Sequence, residues 1–113
     1  MTDAALSAED AKLVTLARAT RARTGAAEGA AVRDLDGRTY AAATVALESL
    51  SLTALEVCVA MAIASGSRGL EAAVVLTAAD GAPDLAAVHE FAGADVVVHV
   101  GDHRGTLGAT LRT

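Results

Sequence analysis

With 113 residues, 53% of them apolar, the chain has the size and the material for one globular domain spanning residues 1–113. Its formal charge is −5, and its densest basic group is Arg18, Arg21 and Arg23. That face is too sparse to neutralise phosphates, so neither nucleic acid nor an anionic membrane surface is an expected partner. No basic-then-apolar leader follows Met1, and the longest unbroken apolar run, residues 57–64, falls far short of the ~20 residues needed to cross a bilayer. One cysteine, Cys58, excludes an internal disulfide, and a cytoplasmic protein is expected. Tyr40 and Phe91 are the only aromatics, so alanine, valine and leucine must fill the interior.

Ser7 followed by Glu9 and Asp10 predicts a helix start, with a capping hydroxyl and acids beside the positive end of the dipole. Leu13, Leu16, Ala17 and Thr20 follow at helical spacing, arginines gather near the C-terminal end, and Gly25 ends the helix. Residues 27–33 read as a strand, Asp36-Gly37 as a tight hairpin turn, and residues 39–43 as the partner strand. A helix is expected over residues 52–65, stopped by Gly66. Between Glu48 and Arg68 its only charged side chain is Glu56. A helix apolar all round must be covered all round, which predicts a sheet on one side and a second subunit on the other.

The run 72–77 suits a buried central strand. Asp80-Gly81-Ala82 forms a turn, and Pro83 is placed at the first position of a short helix reaching Phe91, with Gly93 after it. Residues 96–100 form another buried strand, 101–105 a turn and 106–111 a short final element. The order of elements predicts an α/β sandwich around a mixed sheet.

Several segments carry a family likeness. Gly29-Ala30-Ala31 with Asp36-Gly37-Arg38-Thr39-Tyr40, Leu55-Glu56 inside an apolar helix, Ala82-Pro83-Asp84-Leu85-Ala86-Ala87, and Thr106-Leu107-Gly108 resemble, in that order, the hairpin, C/H-A-E, P-C-x-x-C and T-L-G segments of the small cytidine deaminases. The resemblance covers nearly the whole chain. It implies a cytidine deaminase-like three-layer α/β/α sandwich around a mixed β-sheet, and assembly as a homo-oligomer, dimer or tetramer. In that family one Cys or His and two cysteines hold a zinc that lowers the pKa of a bound water, and the motif glutamate moves protons between water and base. The resemblance places Ala54, Asp84 and Ala87 at the three ligand positions and Glu56 at the proton shuttle. A methyl group cannot coordinate zinc, so no metal and no cofactor are expected. The family's sugar-reading asparagine and glutamate are also unmatched. The chain has no asparagine, the segment reads Ala43-Thr44-Val45-Ala46, and only Glu48 could replace the glutamate.

Each remaining candidate has a plainer reading beside the chemical one. Thr53-Ala54-Leu55-Glu56 has the spacing of a capping box, which gives Glu56 a structural role next to the proton-shuttle one. His99 and His103 are spaced H-x3-H but lack the cysteine pair of a zinc motif. His99 is expected to alternate out of the last strand, with His103 in a solvated turn and His89 exposed on the third helix. Cys58, about 200° around the helix from Glu56, reads as a small buried hydrophobe. Ser49 and Ser51 have no recognisable base, and no phosphate-binding glycine loop is present. The sequence therefore points to a non-catalytic, oligomeric interaction or regulatory module. Its alternatives are a zinc-dependent pyrimidine nucleoside deaminase with atypical ligands, or a small-molecule binder using a pocket lined by Ala43, Ala54 and Ala87 with Glu56 at its base.

Overall fold

Small side chains allow the layers of this protein to approach closely, and its architecture follows from that. The computed structural model describes residues 6–113. Its elements are α1 (Ala8–Thr24), β1 (Glu28–Asp34), β2 (Thr39–Ala43), β3 (Val45–Ala46), β4 (Ser51–Leu52), α2 (Ala54–Ala64), β5 (Leu70–Thr77), α3 (Ala86–Ala92), β6 (Val97–Gly101) and β7 (Leu107–Arg112). Five strands form a mixed sheet in the order β2-β1-β5-β6-β7, parallel only between β5 and β6. Helix α1 covers one face and α2 with α3 the other, giving the expected α/β/α sandwich. No helix among the described residues is long and apolar enough to cross a membrane.

The expected ends of α1 are as observed. The Ser7 hydroxyl accepts the Asp10 amide at 3.0 Å, and Gly25 closes the helix at φ 67°, where a side chain would be strained. Leu13 and Ala17 of α1 bury against Ala31, Ala72, Val74 and Leu76. The crossing is closest at Gly29, where a Cβ would strike the Ala17 carbonyl and the Arg21 Cβ. On the opposite face, Ala54, Leu55, Cys58, Val59 and Ala62 of α2 pack against Ala30, Val32, Ala73 and Val75.

Two expectations are corrected. The third helix begins at Ala86, not Pro83; its start is the amide of Ala86 donating to Asp84 Oδ1 at 2.9 Å, an Asx-type turn that holds Pro83 outside the helix. The second helix, expected from residue 52, begins at Ala54, because residues 45–52 fold into a small antiparallel hairpin of β3 and β4. The final element, expected over residues 106–111, is the edge strand β7, antiparallel to β6.

Two buried charges at the end of β1 anchor the layers. Asp34 is 1% exposed, and its carboxylate accepts from the Asp36 and Arg38 amides, each at 2.9 Å, and from the hydroxyls of Tyr40 and Ser67. The Ser67 hydrogen bond, helped by those amides and Tyr40, outweighs burial and holds the Asp34 carboxyl below its usual 3.8. Arg33, on the other face, donates to Asp10 Oδ1 at 2.8 Å and to Glu71 Oε1 at 2.6 Å. Burial works against the charged form of Asp10, but hydrogen bonds from His99 and Arg33, with the Arg33 charge, hold its carboxyl below 3.8 as well.

Two measurements follow. Gly29→Ala should lower stability by about 1–3 kcal/mol in urea unfolding, because the helix backbone rather than a flexible side chain must move. Both depressed carboxyls contribute stability that is present above their unfolded-state pKa and lost as pH falls through their folded one. The urea midpoint should therefore fall as pH drops below ~4. In Asp34→Asn that acid slope should be shallower, and stability at neutral pH lower by roughly 1–3 kcal/mol.

Candidate functional site

Glu56 lies in the first turn of α2, and local helix physics fixes its position. The first amides of a helix have no partner within it. Here Thr53 Oγ1 accepts the Glu56 amide at 3.1 Å, and Glu56 Oε1 accepts the Thr53 amide at 2.8 Å. This is a complete capping box, so the structural role read from the spacing is present. The carboxylate also lies at the positive end of the α2 dipole, in a half-buried position.

The residues around it are apolar. Ala54 is fully buried, and its methyl lies in the cluster formed by α2, α3 and the sheet. Ala87, half-buried on α3, packs against that cluster and lines a shallow groove of about 320 Å³ with Val59, Ile63, Glu90 and Phe91. Asp84 is exposed, and its Oδ1 is engaged by the Ala86 amide. Ala43 is half-buried at the end of β2. The structure thus brings Ala54 and Ala87 into one apolar layer and leaves Asp84 at its surface. This donor set does not fit a tetrahedral zinc, which needs three or four thiolate, imidazole or carboxylate ligands. Among the described residues, no three His, Cys, Asp or Glu side chains converge as a metal site would require.

A family model described as cytidine deaminase-like matches residues 6–105. The chain belongs to that family. Similar solved structures include a cytidine deaminase from Burkholderia pseudomallei, 21% identical over 96% of this chain and 92% of that one, with a TM-score of 0.74. A cytidine deaminase from Mycobacterium leprae is 18% identical over 94% of each chain, with a TM-score of 0.71. One from Mycobacterium tuberculosis is 22% identical over 89% of each chain, with a TM-score of 0.68. At these identities the likeness establishes the fold. No curated protein sequence matches the chain.

The cysteine and histidines of this cytidine deaminase-like chain do not converge on Glu56. Cys58 is fully buried, with its thiol toward the Tyr40 carbonyl at 3.7 Å, and burial pushes that thiol up to about 12, so it is inert at neutral pH. His89 and His103 are exposed, as expected. His99 is a correction. It does alternate to one face of β6, but Asp10 of α1 reaches over that face, leaving it 8% exposed with Nε2 2.9 Å from Asp10 Oδ2 and Nδ1 3.3 Å from Thr110 Oγ1. The Asp34–Ser67–Tyr40 cluster was also not anticipated. Its sequence signal was a pair of charges, Arg33-Asp34, ending an otherwise apolar strand, since buried charges require partners.

The capping box can be separated from any chemical role. Thr53→Ala and Glu56→Ala should each cost about 1 kcal/mol in thermal or urea unfolding, whereas Glu56→Gln, which can still accept the Thr53 amide, should be close to neutral.

Proposed function

We propose that this protein is a non-catalytic member of its family, a single-domain interaction or regulatory module that keeps the deaminase scaffold without the zinc chemistry. The observation that carries this reading is the pair of alanines at two of the three positions where the family places zinc ligands. Ala54 and Ala87 offer methyl groups within an apolar layer, and Asp84 is committed to starting α3. Without a metal to lower its pKa, a water near Glu56 stays a poor nucleophile at neutral pH. Glu56 itself has a sufficient structural reason to be there.

Self-association is part of the proposal. Met61 and Ile63 on α2, and Leu47 and Leu50 around the β3–β4 turn, are large apolar side chains 38–62% exposed. Such groups on a helix with one charged residue favour cover by another chain. A second copy of this protein is the partner proposed, consistent with the homo-oligomers that the sequence resemblance implies.

Protein purified without added zinc should contain far less than one equivalent of metal by elemental analysis, and cytidine incubated with it should keep its absorbance. Stoichiometric zinc together with deamination would overturn the reading. Light scattering should give a mass of at least two copies, and Ile63→Asp should shift it toward one copy; a clean wild-type monomer would remove the self-association proposal.

A further inference from the structure

We propose that a second site, a groove at the start of α1 on the side of the sheet opposite Glu56, binds a small carboxylate with a hydrocarbon body. The groove measures about 460 Å³, and Leu6, Val97 and Leu107 provide apolar wall. Ser7, Thr110 and Arg112 bring polar atoms to it, with Asp10 and His99 at its inner end. A concave apolar surface with a few convergent polar groups is the usual form of a small-molecule site.

The available polar groups select the ligand's charge. Both oxygens of Asp10 are engaged, Oδ1 by Arg33 and Oδ2 by His99, so the acid at the inner end is already paired. The Ser7 oxygen accepts the Asp10 amide, and its O–H has no acceptor among the described residues. Arg112, which lines the groove, uses Nη1 on the Asp95 carbonyl at 3.2 Å, and the rest of its guanidinium has no acceptor among the described residues. Arginine is a fixed fork of donors with no acceptor, and its geometry matches a carboxylate. The donors left at the rim are thus the Ser7 hydroxyl and the charged Arg112, while the apolar wall suits a short hydrocarbon. Arg112 and Thr110 stand cross-strand from Val97 and His99 on the β6–β7 ladder, so rigid strands rather than a loop hold three of the polar groups.

This inference does not depend on the Glu56 region, since zinc content and self-association would be unchanged by its failure. The test is an NMR titration at fixed pH with hexanoate, acetate, hexanol and hexylamine, following the His99 ring and the Thr110 amide. Hexanoate should saturate both signals in the millimolar range. Acetate, lacking the hydrocarbon, and hexanol, lacking the charge, should each bind at least roughly tenfold more weakly, and hexylamine should leave the signals in place. Arg112→Gln, an exposed substitution on an edge strand, should weaken hexanoate at least roughly tenfold without altering hexanol. Unmoved His99 and Thr110 signals, hexanol or hexylamine binding as well as hexanoate, or an unaffected Arg112→Gln variant would each overturn the site.

Discussion

Close approach of layers built from small side chains is the constraint on which the rest of this fold depends. Strand β1 presents Gly29, Ala30, Ala31 and Val32 to its two covering layers, and all four are buried. Helix α1 meets it through Ala17, and α2 through Ala54, Cys58 and Ala62. With two aromatics in the chain, little volume is available to hold the layers apart, so backbone comes near backbone and glycine is required where α1 crosses β1. Interiors are packed to near-crystalline density, and in such a core one added methyl cannot be absorbed by a side-chain rotation.

The same closeness explains why charge gathers at the end of β1. Successive residues of a strand point to opposite faces, so Arg33 and Asp34 address opposite layers. Arg33 reaches Asp10 on α1, and Asp34 reaches Ser67 in the loop that follows α2. The ladder to β5 shifts register between these two residues, and Glu71 reaches Arg33 from that irregular stretch of β5. One dipeptide thereby fixes both helical layers to one strand. His99 extends the arrangement to β6, through the second oxygen of Asp10. Removing one member of such a network leaves another buried and unpaired, which costs more than the lost hydrogen bond alone.

Much of this was legible in the sequence because the signals are local. Ser7 and Gly25 bracket α1, Asp36-Gly37 turns the first hairpin, and Thr53 with Glu56 caps α2, each within a few residues of chain. The unbroken apolar run of β5 correctly marked a strand covered on both faces. What was not legible depends on distant partners. Nothing near His99 in the chain indicates that Asp10, 89 residues earlier, will cover it. Pro83 is compatible with a helix start, but the neighbouring Asp84 offers its own turn to the Ala86 amide, and that competing hydrogen bond moved the boundary. Strands β3 and β4 have two residues each, too few to show an alternating pattern.

The region around Glu56 shows how much of one residue's placement local helix physics accounts for. A glutamate three positions after a threonine at a helix start satisfies an orphan amide and complements the dipole, whatever lies beside it. Its presence therefore gives little weight to catalysis. The weight lies with its neighbours, because a proton shuttle acts only on a water that something else has activated. Ala54 two residues earlier is a buried methyl, Cys58 two residues later points its unreactive thiol at a backbone carbonyl of β2, and Ala87 borders an apolar groove. Helix α2 thus packs through Ala54, Leu55, Cys58, Val59 and Ala62, and the one carboxylate it carries caps its own first turn.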